Sequence, residues 1–239
     1  MKPKRFIACG DNHGSAMDPK ACSAFFSFIK DWKPEVRVHL GDGFDVTAFR
    51  KGADEADQCT DLTDDVEQGL EFIRKMQPTH YLRGNHCERI WDGIEHPKAE
   101  RAALCFKLAE EIEKTLGFRT TPYDKRKGVL KIGHLNFVHG FTTGLTASKR
   151  AAEIFGNVLF GHCHFVSHDS VPRIDRTMGR CVGCLCRLDF GYNRAQITTL
   201  RQSHGWGYGL LFPDGTFRVE QAEEINGRWH LATNFREYK

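Results

Sequence analysis

The stretch LFGHCHF at residues 159–165 sets His162 and His164 on either side of one cysteine, behind a glycine and inside an apolar run. In extended chain, alternate side chains share a face, so both imidazoles are expected on one side and Cys163 on the other. Two imidazoles aimed at one place form a donor pair for a borderline divalent cation. A lone HxH is weak evidence, so the other motifs decide. Four precede it: Asp11-Asn12-His13, Gly41-Asp42 followed by Asp45, Gly84-Asn85-His86, and His139-Gly140. The first three each follow an apolar, strand-like run and each offers oxygen or imidazole donors. With only 12 histidines in 239 residues, this order of His, Asp, Asn and Gly is hard to assign to coincidence. Carboxylate, amide and imidazole donors together suit Mn, Fe, Zn or Ni better than Mg or Ca, whose sites are mostly oxygen.

The elements that must position these residues are legible as a repeating order. KRFIACGDNHG reads as a short buried strand running into a polar loop, and a helix is expected over 19–32, with Pro19 in its first turn and Phe25, Phe28, Ile29 and Trp32 on one stripe. EVRVHLGDGFD repeats the strand and loop. A helix over 61–76, carrying Leu62, Val66, Leu70 and Ile73 at helical spacing, leads into a third strand and loop, THYLRGNH. Strand, polar loop and helix in this order predict βαβ units with their chemistry at strand C-terminal ends. Residues 98–116 form a periodic helix with Leu104, Leu108, Ile112 and Leu116 expected on its core face, and another helix is expected near 145–155. The turns PDG at 213–215 and NG at 226–227 then divide GYGLLF, TFRVEQA and RWHLA into a β-meander over about 205–235. No repeat or flexible linker interrupts the chain, so a single domain over 1–239 is expected.

Composition narrows the class. The chain is 40% hydrophobic and 27% charged, as in ordinary globular proteins. The net charge of +3, from 34 basic and 31 acidic residues, is too balanced to argue a nucleic-acid partner by itself. The start, MKPKRFIACGD, lacks the apolar core of a signal peptide, and no run is long enough to span a membrane. Nine cysteines then read as reduced thiols. The expected compartment is cytoplasmic, with no membrane partner.

Taken as a set, D-x-H, GD-x-x-D, GNH, HG and GHxH over residues 11–164 resemble the motif series of calcineurin-like metallophosphoesterases. The tail, CRLDFGYNR and the final NFREYK, resembles that of bacteriophage-encoded and bacterial members, and if the protein is phage-encoded the expected compartment is the host cytoplasm. The resemblance implies a four-layer α/β/β/α sandwich of two mixed sheets flanked by helices, with two divalent ions at one edge, manganese being the first expectation. It implies one ion on Asp11, His13, Asp42 and His164 and a second on Asp42, Asn85, His139 and His162, with Asp42 bridging. A bridging hydroxide would attack phosphorus directly. His86 would then protonate the leaving group, with Asp45 orienting it. A phosphodiester, with DNA or RNA first, is the expected substrate; small-nucleotide phosphodiester, pyrophosphate or monoester hydrolysis is the alternative. Protein phosphatases of this superfamily carry LRGNHE and an arginine after the GD-x-x-D aspartate. Here Cys87 and Val46 stand at those places, which argues against a protein phosphatase. A protein-binding scaffold on the same fold is the non-enzyme alternative; it tends to lose ligands, and here all seven are present.

Arg50, Arg83, Arg89 and Lys51 lie close in sequence to the motif loops and are candidates for holding phosphate oxygens. Cys181, Cys184 and Cys186 in CVGCLC lack a fourth zinc ligand and read as buried strand cysteines. Cys87 and Cys163, beside the ligands, are candidates for oxidation. Trp206, Tyr208 and Phe141 are candidates for stacking a base, and Lys125, Arg126 and Lys127 for a loop that contacts a nucleic-acid backbone.

Overall fold

The computed structural model describes residues 2–52, 61–175, 177–189 and 197–232. The first sheet orders its strands β11-β10-β9-β1-β2-β3. Strands β1 (Lys4–Cys9), β2 (Val36–His39) and β3 (His80–Tyr81) run parallel, while β9 (Gly205–Leu211), β10 (Phe217–Ile225) and β11 (Arg228–His230) form an antiparallel meander that joins through β9 to β1. The second sheet orders β4-β5-β6-β8-β7. In it β5 (Leu135–Val138), β6 (Val158–Phe160) and β8 (Thr177–Val182) are parallel, and β4 (Leu130–Ile132) and β7 (Val166–Val171) pair antiparallel at its edges.

Strand β1 shows why the sheets stack. Its apolar residues run without alternation, so both faces are buried. Phe6 and Ala8 enter the core between the sheets, with Val38 and Leu40 from one side and Phe137, Leu159 and Val182 from the other. Ile7 and Cys9 face outward onto Phe25 of helix α1 (Pro19–Trp32) and onto Trp206 and Tyr208. On the far face of the second sheet, Ala147 and Ala151 of helix α5 (Ala147–Phe155) cover Val158, Phe160 and Cys181. Helices α2 (Leu62–Met76), α3 (Glu88–Asp92) and α4 (Ala99–Leu116) pack around Phe44, Tyr81 and Ile90. The result is two mixed sheets face to face, flanked by helices.

Local signals set several helix ends. Asp18 accepts from the Ala21 N–H at 2.8 Å with Pro19 at the first helical position, and Asp61 accepts from Thr63 and Asp64. The expected face of α4 holds at Ile112, which is buried, and at Leu108 and Leu116, which pack against the core, but not at Leu104. Leu104 is 41% exposed, and the buried row is Cys105, Ala109 and Ile112, because small side chains at 105 and 109 let the helix sit close to α3. The short strands β4, β7 and β8 and the helix α3 carry too little periodicity to predict. The meander covers 205–230, and the tail residues 190–194 and 233–239 lie outside the described residues. No helix among the described residues is long and apolar enough to cross a membrane.

One buried carboxylate ties a helix to two loops. Asp65 of α2, 2% exposed, accepts from the N–H groups of Ser15 at 3.3 Å, Asp45 at 3.2 Å and Val46 at 2.9 Å. Replacing it with alanine strands three donors away from water. Asp65→Ala is expected to lower unfolding free energy by roughly 2–5 kcal/mol, read by urea denaturation, whereas an exposed control such as Asp64→Ala stays within about 1 kcal/mol.

Candidate metal centre

All five motifs lie in loops at the C-terminal ends of parallel strands: residues 11–13 after β1, 41–45 after β2, 84–86 after β3, 139–140 after β5 and 161–164 after β6. Because the sheets face each other, these ends meet at one edge. His162 and His164 do not converge by strand alternation, as expected from sequence. Strand β6 ends at Phe160, and both histidines lie beyond it in the left-handed backbone region, at φ 68° and 58°. Asp11, His13 and Asp42 share that conformation, at φ 55°, 50° and 51°. Each such residue costs on the order of 1–3 kcal/mol and persists only where its surroundings enforce it. Backbone bonds across the loops do so: Asp11 N–H to the Gly41 carbonyl at 2.9 Å, His13 N–H to Asp42 at 2.9 Å, and Leu185 N–H to Asp11 at 3.2 Å.

Around Asp42, the donor atoms of Asp42, His139 and His162 lie within 4.8 Å of one another. His139 Nε2 stands 3.2 Å from Asp42 Oδ2 and 3.0 Å from Asn85 Oδ1, while its Nδ1–H donates to the Leu40 carbonyl at 3.0 Å. That bond fixes the tautomer and leaves Nε2 for the centre. A second group, Asp11, His13 and Asp42, is equally compact. His164 joins it, with Nε2 3.2 Å from His13 Nε2 and 3.4 Å from Asp11 Oδ1. The structure therefore brings together all seven residues expected as ligands, with Asp42 common to both groups.

The site fits a pair of cations on its own geometry. Asp11 Oδ1 is fully buried and accepts no hydrogen bond among the described residues, and two ring nitrogens face each other beside it. Glycine makes room for the carboxylates: a Cβ at Gly84 would lie 2.0 Å from Asp42 Oδ1, and one at Gly161 2.3 Å from Asp11 Oδ2. The electrostatics point the same way. Burial raises the Asp42 carboxyl, but the His139 imidazole outweighs it and holds Asp42 well below the usual range. Burial likewise opposes the lowering of Asp11, which the adjacent His164 ring achieves. Burial works against charge on His139 and His164, yet Asp42 lifts the first to about 8 and Asp11 the second to about 9. His162, half-buried and beside His139, falls to about 4, chiefly through desolvation. The carboxylates thus already recruit positive charge from imidazoles, the role a divalent ion fills more strongly.

His86 sits at the rim, 23% exposed, with Nδ1 2.8 Å from Asp45 Oδ1 and its backbone N–H on Asp42 Oδ1 at 2.9 Å. The same Asp45 oxygen lies 3.0 Å from His13 Nδ1, so Asp45 orients both rings, and Thr47 donates to its other oxygen. Burial raises Asp45, and its bonds to His13 and His86 override this and lower it strongly.

Other expected site residues separate. Arg83 is 13% exposed; it bonds Thr120 at 2.8 Å and Glu88 at 3.2 Å and lies 4.0 Å over Trp91, so its guanidinium is committed to packing. Arg89 donates to the Asp45 carbonyl at 3.1 Å, and Arg50 and Lys51 are exposed beside it. Trp206 and Tyr208 cannot stack a base: they are 1% and 0% exposed, packed on Phe25, Phe28 and Trp32. Phe141 stacks at 4.8 Å on Tyr123, whose ring meets His139 edge-on at 5.5 Å. The run 125–127 folds back on Asp124, which accepts from the N–H groups of Arg126 and Lys127. Cys87 is fully buried and its thiol is pushed up to about 12, so it is closed to oxidation, whereas Cys163 is partly exposed.

Two contributors were not read from sequence. Cys186 is buried as expected, but it lies beyond β8 with Sγ 3.7 Å from His164 Nδ1, because the β7–β8 hairpin returns the chain to the site. No spacing rule signals that return. The second is a relay behind the ligands: Gly41 N–H donates to His39 Nδ1 at 3.2 Å, His39 Nε2–H to Asn12 at 2.8 Å, and Asn12 to the Gly43 carbonyl at 3.0 Å.

Similarity to known proteins is confined to structure. No protein-family model matches the chain, and no curated protein matches it. Among solved structures it is similar to phosphoesterases and to a vacuolar sorting protein. The metallophosphoesterase of Sphaerobacter thermophilus aligns over 98% of this chain and 90% of its own at 15% identity and TM-score 0.49. Vacuolar Protein Sorting 29 of Cryptosporidium parvum aligns over 96% of both chains at 12% identity and TM-score 0.50. Yfce, a phosphoesterase from E. coli, aligns over 88% of this chain and 89% of its own at 15% identity and TM-score 0.42. At these identities the likeness is one of fold.

Two outcomes follow from the buried groups. Burial lowers His39 to about 3 against 6.5 for the ordinary side chain. The unfolded chain therefore binds one more proton between those values, so this residue makes stability rise with pH across that window. Its share of the slope is about 1.4 kcal/mol per pH unit, and His39→Gln is expected to flatten the measured slope by one proton. Cys186→Ala, by freeing the His164 ring, is expected to weaken metal affinity roughly 10-fold or more in a chelator competition, with Cys186→Ser retaining most of it.

Proposed function

We propose that this protein is a dinuclear metal-dependent phosphoesterase and that its preferred substrate is a phosphodiester, with DNA or RNA first. The observation that carries the reading is the carboxylate of Asp42, shared by two compact donor groups and set beside a partly exposed His86 held by Asp45. Two ions held there, manganese first among Mn, Fe, Zn and Ni, would supply charge neutralisation of the phosphoryl oxygens and activation of a water for in-line displacement.

The chain's own residues do the rest. Asp42 and Asp11 keep the edge anionic and ready for cations, and Asn85 adds a neutral oxygen beside His139. Asp45 engages His86 Nδ1, which directs Nε2 of that ring toward the departing oxygen as its proton donor. The nearby Cys87 is buried and its thiol pushed up to about 12, which makes it a poor nucleophile, so displacement by water without a phospho-enzyme is the favoured course. The intact donor set favours catalysis over a purely protein-binding role on this fold.

The experiment is hydrolysis by the Mn-loaded protein of bis(p-nitrophenyl) phosphate, p-nitrophenyl phosphate, and labelled single- and double-stranded DNA and RNA. Diester cleavage is expected to exceed monoester cleavage. His86→Asn is expected to lower kcat by about 10²–10⁴-fold while the metal content of the purified protein is unchanged. Monoester-only turnover replaces the diester reading, and full activity in His86→Asn removes the proton-donor role.

A further inference from the structure

A cavity of about 410 Å³ opens beside the metal loops, lined by Arg50, Lys51, Arg89, Asp92, His96 and Arg101. Its volume falls within the range of small-ligand sites. Four basic residues against one acidic residue give it a formal charge of +3. That equals the net charge of the whole chain, so the remaining residues balance at 30 basic and 30 acidic. The described lining of this cavity is therefore locally rich in positive charge.

Its position relative to the centre is fixed by a strained turn. Val46 adopts φ 41°, a conformation seldom taken by a β-branched residue, and its N–H is held at 2.9 Å by the buried Asp65. The turn carries the chain from Asp45, which grips His86, directly into the 3-10 turn Thr47–Phe49 at the cavity wall. Arginines hold both ends of this stretch. Arg89 donates to the Asp45 carbonyl at 3.1 Å, and Arg101 donates to the Phe49 carbonyl at 2.9 Å, its guanidinium 4.9 Å over the Phe49 ring. A residue of the cavity lining, Arg89, is thus bonded directly to Asp45, the residue that orients the candidate proton donor, so the cavity neighbours the side from which a leaving group would depart.

We propose that this basic cavity is a subsite for a phosphate carried on the leaving group of the substrate. The inference rests on the phosphoesterase reading above and deepens it. Guanidinium groups bind phosphate oxygens in pairs, and the exposed Lys51 adds a further positive charge to the lining. A simple monoester places nothing there. A polynucleotide, or a small diester with a further terminal phosphate on its leaving nucleoside, places an anion there, and the two sources are separable by length.

The test compares the Mn-loaded protein on a dinucleoside monophosphate, on the same dinucleotide with an added 5′- or 3′-phosphate, and on the corresponding octanucleotide. One added phosphate is expected to raise kcat/KM at least tenfold, and Arg50→Gln/Lys51→Gln is expected to cut that advantage below threefold. A further gain in the octanucleotide identifies nucleic acid as the source, and equal rates identify a small phosphorylated diester. If the unmodified dinucleotide is cleaved and neither added phosphate matters, the subsite is overturned while the phosphoesterase reading stands. Binding settles the subsite even where no substrate turns over. Metal-free protein titrated with labelled octathymidylate at several salt concentrations is expected to lose about 1.4 from its log–log salt slope in the double variant, for two phosphate contacts. An unchanged slope overturns the proposal. Both substituted residues are exposed in the loop, and coincident thermal unfolding of the variant and the parent serves as the folding control.

Discussion

Two carboxylates taken out of water, Asp11 and Asp42, set the terms for everything around them. Buried at 0% and 1% exposure, neither can stay ionised without positive charge at close range. Imidazoles provide it from three loops, two of the imidazoles bonded ring to ring at 3.2 Å, yet they leave Asp11 Oδ1 without a hydrogen bond among the described residues. A purely structural cluster would have given that oxygen a donor. The arrangement instead keeps a carboxylate edge, an amide oxygen and four imidazoles turned toward a common centre. Such a set is stable with cations and costly without them.

The cost is visible in the backbone. Five of the seven donors occupy left-handed conformations that ordinary residues avoid, and only a rigid frame holds five such positions in one site. The frame is the pair of parallel strand clusters whose C-terminal ends meet at one edge, with Phe6 against Phe137 locking the sheets together at 5.8 Å. Behind the loops, Asp65 gathers N–H groups from two of them, and the His39–Asn12 relay couples the same two from below. Both groups are buried and polar, and both earn their place by satisfying loop backbone that no strand can reach.

Much of this was legible in the sequence because local signals are strong where the chain is regular. The helices at 19–32 and 61–76 declare themselves through Pro19, Asp61 and their apolar periods, and the meander through PDG and NG. The seven residues that meet at the edge stand out because a glycine or an acid beside a histidine or asparagine after an apolar strand is itself a local pattern, while a ligand role for them is what the resemblance of the motif series implies. What failed was long-range. The sequence placed the two histidines of LFGHCHF by strand alternation, whereas the strand stops at Phe160 and loop dihedrals aim them. Cys186 reaches His164 only through a hairpin with weak alternation. Trp206 and Tyr208 looked available for stacking because a meander can expose aromatics; here α1 covers that face.

Net charge shows the same limit most sharply. A value of +3 over 239 residues reads as neutral, and on that ground an anionic partner has no support. A field, however, depends on where charges stand, and a cluster within one cavity acts over a Debye length of about 8 Å while a dispersed excess cancels. The fold joins residues 50–51, 89 and 101, drawn from a loop and two helices, at one wall, and Arg89 of that wall bonds the Asp45 carbonyl. The strained turn at Val46 is the piece that makes this possible, since a relaxed backbone there would carry Thr47–Phe49 away from the arginines that bind it. Strain at that residue and at the five left-handed donors therefore has one origin. Short loops at a sheet edge must turn sharply to set the donor cluster and the basic wall side by side, and the surrounding packing supplies the free energy that keeps them turned.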